Sequence, residues 1–317
     1  MTDTQNEVFK TPVNKIRLFE HGAPGSQNFK LTRKYYTEDM PDGRVKHIVQ
    51  NITDPDIVPY IPDGIGNSTD RQRISAVLII PGGAFRRLVY NFEGEDVAKW
   101  LNSMGIAAFV LECRLPSDEH DNAEDVPLID AMRAMRVIRG RAQEFGIDEA
   151  KIGVMGFSAG GFMAALLSTA YESDVYADYK YKDEYDKLSA RPDFAVCSYP
   201  VISIDDCIEA GKRYMSEEQV LERISDSKAK ILHKYNPDKL VRPDMPPVFI
   251  CETDDDRTTL SENSVGFYMA ARKAGVSAEL HIFRTGGHGY GCGDDFAQTG
   301  EWKVLFTKWI KSIGIIS

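Results

Sequence analysis

"GFSAGG", residues 156–161, sets a serine between two small residues and follows it with two glycines. The strand-like run "KIGVMGF" (151–157) leads into it and the helical run "AGGFMAALLSTA" (159–170) leads out. Gly156, Ser158 and Gly160 therefore match G-x-S-x-G where a strand gives way to a helix, the context in which the serine of such a turn carries strained dihedrals. A residue held that tightly needs glycine two positions away on either side, because a Cβ there collides with the backbone. Gly161 is expected to let the helix pack close to the sheet. The plainer reading is a small-residue helix start, and the two are separated by whether an acid and a histidine follow in the right order.

Working outward, short β-rich runs alternate with helical patterns from about residue 77 to the C-terminus. The strand candidates are "AVLIIP" (76–81), "IAAFVLE" (106–112), "KIGVMGF", "FAVCSYP" (194–200), "PVFICE" (247–252) and "AELHIF" (278–283). Between Val126 and Phe145, Leu128, Met132, Met135 and Ile138 recur at steps of three and four and share one helix face. Such alternation predicts an α/β architecture, a mostly parallel central sheet with helices on both faces. Residues 1–75 are rich in Pro, Gly, Asp and Asn and predict antiparallel edge strands, among them "KHIVQNIT" (46–53), leading into the main sheet. Two stretches interrupt the alternation. Residues 171–192 carry Tyr171, Tyr176, Tyr179, Tyr181 and Tyr185 and read as an excursion near an active-site mouth or as a solvated loop. Residues 202–245 show a helical pattern around Glu217–Ile224, and the two together predict a small cap-like insertion at about 171–245. No linker or repeat divides the chain, so residues 1–317 read as one domain.

Of the six histidines, His21, His47 and His120 precede Ser158, His233 lies in the second interruption and His281 lies within a strand pattern. His288 sits in "GGHGYG" (286–291), a flexible loop just past that strand, and is the candidate general base; a loop-stabilising role is the plainer alternative. "CETDDDRTT" (251–259) offers Asp254, Asp255 and Asp256 after a strand, of which one suffices to orient a histidine. The neighbouring Arg257 and the lack of a DxDxDG-type loop argue against a calcium site. "PGGAF" (81–85) follows the first central strand and supplies backbone amides for an oxyanion, with the Ala159 amide completing the set. Four elements in matching order make a structural coincidence a poor account of any one of them.

Composition narrows the partners. Hydrophobic residues make up 43% of the 317 and charged ones 27%, which predicts a sizeable core. A formal net charge of −10 disfavours nucleic acid and anionic membrane surfaces and favours a small neutral or cationic substrate. The N-terminal "MTDTQNEVFK" lacks the basic and apolar regions of a signal peptide, and the reading is a cytoplasmic protein unless a signal peptide has been removed. Cys113, Cys197, Cys207, Cys251 and Cys292 form no CxxC pair and read as reduced, buried thiols. The sequons at Asn51 and Asn67 read as chance matches.

With these residues in view, the chain resembles the acetylxylan esterase-like α/β-hydrolases, the group related to bacterial feruloyl and acetyl esterases. The likeness runs from about residue 16 to the C-terminus and rests on "LFEHGAPGS" (18–26), "PGGAFRRL" (81–88), "EGEDVAKWLNSMGIAAFVLECRLP" (93–116), "IGVMGFSAGG" (152–161), "RPDFAVCSYPVIS" (191–203), "ENS" (262–264) and "GGHGYG". The resemblance implies Ser158 as nucleophile and His288 as base. Members of the group place the acid in D-x-x-V-P; here Thr259 and Leu260 stand at the V-P positions, which aligns Asp256 with the acid and leaves Asp255 as a substitute. The group's PGGG becomes Pro81–Ala84, so Gly83 and Ala84 resemble the oxyanion donors, with the shape of the hole altered by alanine. No cofactor or metal is implied. The implied activity is hydrolysis of short acyl esters on sugars such as acetylated xylo-oligosaccharides. The rivals are an oligopeptidase-like serine hydrolase, a glycosidase, and a non-catalytic binding protein on a hydrolase scaffold. Phe85, Arg86 and Arg87 beside the oxyanion turn are expected to crowd long acyl chains, and the tyrosines at 171–185 to stack on sugar rings if they line the mouth.

Overall fold

A computed structural model describes residues 9, 13–65, 73–214, 216, 218–220, 229–293 and 298–317. The sequon at Asn67 and most of the helical pattern at Glu217–Ile224 lie outside them. The strands are β1 (Ile16–Arg17), β2 (Lys34–Asp39), β3 (Val45–Gln50), β4 (Asp56–Tyr60), β5 (Ile74–Ile80), β6 (Leu88–Val89), β7 (Ala107–Glu112), β8 (Ile147–Phe157), β9 (Ala195–Ser198), β10 (Val248–Thr253) and β11 (Ala278–Phe283). The α-helices are α1 (Asp96–Ser103), α2 (Val126–Gly140), α3 (Ala142–Phe145), α4 (Ala159–Ala170), α5 (Ile204–Tyr214), α6 (Ala229–Lys234), α7 (Ser261–Lys273) and α8 (Trp302–Ser312).

Among the described residues the main sheet has the order β1-β4-β7-β5-β8-β9-β10-β11. β1, β4 and β7 pair antiparallel and every pair from β7 to β11 is parallel. This is the mostly parallel α/β sheet that the alternation predicts, in the α/β-hydrolase fold that the resemblance implies, and all six strand candidates are strands. β7, β9 and β10 are buried along their whole length, as expected of strands covered on both faces, which is why they read as unbroken apolar runs. α4 is buried from Ala159 to Thr169, so its sequence is hydrophobic all round.

The order β7-β5-β8 means that the chain leaves β5 in one direction and returns on its other side at β8. Loops at the carboxyl ends of such strands open a crevice. The register Ile80↔Gly156 sets Pro81 beside the residues leading to Ser158. Thr253↔Phe283 sets the aspartate run beside the approach to His288.

Two expectations are corrected. β3, the strand in "KHIVQNIT", does not enter the main sheet; with β2 and β6 it forms a separate antiparallel sheet. Its apolar Ile48 and Val49 pair with Val89 and Leu88, which come shortly after the "PGGAF" turn, so the N-terminal hairpin is fastened beside that turn. The tyrosine stretch at 171–185 clasps α2. Arg133 holds Asp183 and Asp186 at 2.5 and 3.0 Å, Arg136 hydrogen-bonds Tyr176, and the Tyr179 hydroxyl donates to the carbonyl of Gly22 at 3.0 Å. Tyr171 is buried elsewhere, beneath Arg191 and Arg242, and donates to Asp244 Oδ2 at 2.7 Å; Tyr176 and Tyr179 are buried in the clasp. Their aromatic bodies fill the seam between α2 and the N-terminal segment, and their phenols saturate its polar groups.

Candidate active site

Ser158 follows β8 and precedes α4 with φ 54° and ψ −118°, a strained conformation for a residue with a side chain. The glycines around it show why. A Cβ on Gly156 would lie 1.9 Å from the carbonyl oxygen of Gly160, and one on Gly160 1.9 Å from that of Ile80. A Cβ on Gly161 would lie 3.0 Å from Pro200, so this glycine does set the distance between α4 and the chain leaving β9. The Ser158 amide donates to the carbonyl of Ser198 at 3.0 Å, which secures the turn from the other side.

His288 Nε2 is 2.8 Å from Ser158 Oγ, and its Nδ1 is 2.6 Å from Asp256 Oδ2. Asp256 is only 2% exposed. Its Oδ1 accepts the amides of Thr258 and Thr259 at 2.7 and 3.0 Å, and its Oδ2 also accepts the Thr259 hydroxyl at 3.0 Å. Burial pushes this carboxyl up, but the hydrogen bond and charge of His288 and the two amides outweigh it and hold the carboxyl below its ordinary range. Asp255 faces elsewhere: its Oδ1 accepts the amides of Gly286 and Gly287 at 3.0 and 2.8 Å. Asp254 is exposed. The three adjacent aspartates thus divide into one behind the imidazole, one tethering the histidine loop and one in solvent.

The turn expected to hold the oxyanion carries three successive residues of positive φ: Gly83 at 139°, Ala84 at 57° and Phe85 at 60°. Gly83 cannot be replaced without collision, since a Cβ would meet the carbonyl oxygen of Arg87 at 2.1 Å. Ala84 occupies the left-handed region at a cost of about 1–2 kcal/mol. Gly83 and Ala84 line a pocket of about 270 Å³ together with Ser158 and His288; Met40, Val89 and Phe92 add apolar surface, and Arg44, Lys46 and Arg87 add cations. Ala159 lies behind this pocket, at the first turn of α4. Of the residues expected to crowd the acyl chain, Arg87 lines the pocket; Phe85 is buried edge-on against Phe162 at 5.5 Å, and Arg86 is exposed. The five tyrosines of 171–185 do not line it.

Sequence reasoning missed Glu93, Tyr199, Thr259 and Glu252. Glu93 lines the pocket yet is 5% exposed, and burial holds its carboxyl above the ordinary range. The Tyr199 ring packs edge-on to His288, with centroids 5.1 Å apart. Thr259 Oγ1 lies 3.2 Å from His288 Nδ1. Glu252 is fully buried; burial first, and then the charge of Asp256, push it well above the ordinary range. The one sequence signal for Glu93 is its place in "NFEGE", which folds as a π-helical turn, a rarity often associated with functional sites.

Among the described residues no group of three or more His, Cys, Asp or Glu side chains is arranged to hold a metal ion. Cys113, Cys197, Cys251 and Cys292 are buried free thiols. No described helix is long and apolar enough to cross a membrane.

The model of the BD-FAE family matches residues 65–270. The chain belongs to this family. With it the protein falls within the α/β-hydrolase superfamily, related to the acetylxylan and feruloyl esterases. It is 31% identical over 240 residues to an acetylxylan esterase of Xylanibacter ruminicola, covering 75% of this chain and 45% of that protein. It is 29% identical over 269 residues to endo-1,4-beta-xylanase B of Butyrivibrio fibrisolvens, covering 82% of this chain and 40% of that protein. The chain thus spans less than half the length of these two relatives. The crystal structure of an acetyl ester-xyloside bifunctional hydrolase from Caldicellulosiruptor lactoaceticus superposes with a TM-score of 0.70 at 34% identity, covering 96% of this chain and 98% of that one.

Proposed function

We propose that the protein is a serine carboxylesterase that removes short acyl groups, acetyl above all, from carbohydrate esters such as acetylated xylo-oligosaccharides. Ser158 Oγ attacks the ester carbonyl and passes its proton to His288 Nε2; Asp256 fixes the Nδ1–H tautomer and stabilises the imidazolium. The amides of Gly83, Ala84 and Ala159 hold the oxyanion. His288 then returns the proton to the departing alcohol, and water, activated by the same imidazole, hydrolyses the acyl-serine and releases the carboxylic acid. The observation that carries this reading is the pair of contacts at His288, 2.8 Å to Ser158 Oγ and 2.6 Å to Asp256 Oδ2. The acetyl and carbohydrate parts are supported by the relatives named as an acetylxylan esterase and an acetyl ester-xyloside hydrolase. A glycosidase would need two carboxylates facing one bond. Of the described pocket-lining residues Glu93 alone is a carboxylate, and both its oxygens already accept hydrogen bonds.

Ser158→Ala and His288→Ala are each expected to lower turnover of 4-nitrophenyl acetate by about a million-fold with the fold intact. A fluorophosphonate should label the wild type at Ser158; wild-type rates in either variant would remove the mechanism. The acyl claim is read from rates on acetyl and octanoyl esters, and the alcohol claim from acetate release by acetylated xylo-oligosaccharides. Faster octanoyl hydrolysis overturns the first, and acetyl preference without sugar-ester activity overturns the second.

A further inference from the structure

Glu93 is a carboxylate placed where carboxylates are costly. Removing one from water carries a penalty of several kcal/mol, so a buried one is expected to hold specific donors. It holds two, and they come from opposite sides of the site. Oε2 accepts the amide of Gly82, in the turn between β5 and the oxyanion residues, at 2.8 Å. Oε1 accepts the hydroxyl of Tyr199, just past β9, at 2.9 Å. The same hydroxyl accepts the amide of Gly291, three residues beyond His288, at 3.1 Å, and the Gly291 carbonyl accepts Trp302 Nε1 at 3.1 Å. A chain of hydrogen bonds therefore runs from the oxyanion turn through Glu93 and Tyr199 to the histidine loop.

The fit around this chain is close. A Cβ on Gly82 would lie 2.7 Å from Glu93 Oε2 and 2.9 Å from the Cβ of Ser158, so the carboxylate is wedged against the backbone that faces the serine. Tyr199 has φ 37°, and its amide donates to the carbonyl of Cys251 at 2.7 Å. This strained backbone aims the phenol inward, where its ring also packs 4.5 Å from that of Tyr290.

We propose that Glu93, acting through Tyr199, is a positioning residue that fixes the oxyanion turn and the His288 loop relative to each other. The inference rests on the serine-esterase reading above. Taking up the Gly82 amide pins the Pro81–Gly82 peptide plane, and the Val89 amide, donating to the Gly82 carbonyl at 2.9 Å, pins the next plane, which carries the Gly83 N–H; Glu93 thereby anchors the entry to the turn from which the Gly83 and Ala84 N–H groups point. Amides aimed in advance at the developing oxyanion need no reorganisation in the transition state. The other end of the link prevents the imidazole from drifting away from Ser158 as the acyl group arrives. Both carboxylate oxygens are taken up by Gly82 and Tyr199, so its effect is carried by the loops it joins.

The test compares the wild type with Glu93→Gln, Tyr199→Phe and the double variant. Three quantities are read: kcat and KM for 4-nitrophenyl acetate, the Ki of phenylboronic acid, which forms a tetrahedral adduct on a reactive serine, and the melting temperature. Glu93→Gln is expected to lower kcat by about 10- to 100-fold with KM within about twofold, and to weaken boronate binding by a similar factor. Tyr199→Phe keeps the Gly82 contact and breaks the link to Gly291, so about a tenfold loss of kcat is expected, and the double variant should lose less than the product of the two. A merely structural role would lower the melting temperature and leave kcat and the boronate Ki of the folded variants unchanged; that result overturns the proposal. Should Glu93→Gln fail to fold, Tyr199→Phe alone decides, with an unchanged kcat counting against it. A wild type that hydrolyses no ester and takes no fluorophosphonate would instead defeat the esterase reading itself.

Discussion

A Cβ on Gly156 or Gly160 would press to 1.9 Å against backbone, whereas one on Gly287 or Gly289 would meet nothing within 4 Å. The loop that carries Ser158 is thus confined by contact on both sides of the serine, whereas the loop that carries His288 is crowded only at its ends, where a Cβ on Gly286 or Gly291 would lie 2.3 Å from Thr299 or 2.7 Å from the carbonyl of Phe92, and is otherwise held by hydrogen bonds from side chains far away in sequence. Asp255 holds Gly286 and Gly287, the Thr253 hydroxyl holds the carbonyl of Gly287 at 2.9 Å, and Tyr199 holds Gly291. The difference teaches that one site uses two kinds of precision. Steric confinement has no slack and tolerates no added atom. A tethered loop can lose a bond and still return to its place.

The comparison breaks first where the elbow is overfilled. Gly160→Ala is expected to abolish turnover and to destabilise by about 3 kcal/mol or more, since the new methyl meets a carbonyl that belongs to β5 and cannot yield. Gly289→Ala meets open space at φ 80° and should cost only the left-handed strain, about 1–2 kcal/mol, with activity retained. Urea midpoints of the two variants check this, and similar shifts would erase the distinction. Next comes the aspartate pair. Asp256→Asn should lower turnover by about 10⁴, because an amide selects the wrong imidazole tautomer. Asp255→Asn keeps an acceptor for both loop amides and should stay within about tenfold of wild type. The reverse ranking would exchange their roles.

What was legible in the sequence follows the same division. β7, β9 and β10 declared themselves because burial on both faces demands unbroken apolar runs, and the others by their β-rich segments at regular spacing. The elbow declared itself because glycine at two fixed offsets is what a contact-limited turn requires. His288 was legible from chain order, whereas the three aspartates were not separable from the residues alone; only the resemblance, with Thr259 and Leu260 at the V-P positions, pointed to Asp256. Glu93 was not: within "EGED" it looks like one more surface charge, and the hydroxyl it accepts lies 106 residues away. Tyr199 looked like the end of a strand, and the tyrosines of 171–185 looked like a sugar platform because nothing in their spacing reveals that Arg133 and Arg136 wait on α2. Hydrogen-bonded tethers join residues of no shared period, so pattern reading does not find them.

The smallest effect concerns acid, where Asp256 and Glu93 should pull in opposite directions. Asp256 is held below its ordinary value of 3.8 because, against burial, the His288 contact and two amides favour the ionised form. Its stabilisation is therefore fully present above the unfolded-state value and is lost as pH falls through the lower folded value. Glu93 is held above its ordinary 4.5, chiefly by burial. Folding favours its protonated form, so its contribution is fully present below the unfolded value and is lost as pH rises through the folded one. Between about pH 4 and pH 7 the urea midpoint of Glu93→Gln should accordingly gain on that of the wild type as pH rises, since glutamine never ionises. That of Asp256→Asn should approach the wild type only at the acid end of a series carried below pH 4, where the carboxylate it lacks is being protonated. Groups that interact with neither carboxylate cancel in these differences; Glu252, which the charge of Asp256 raises, does not cancel for Asp256→Asn. Parallel curves for Glu93→Gln and wild type would mean that Glu93 keeps its charge at no cost, and the tether would then draw on donors beyond Gly82 and Tyr199.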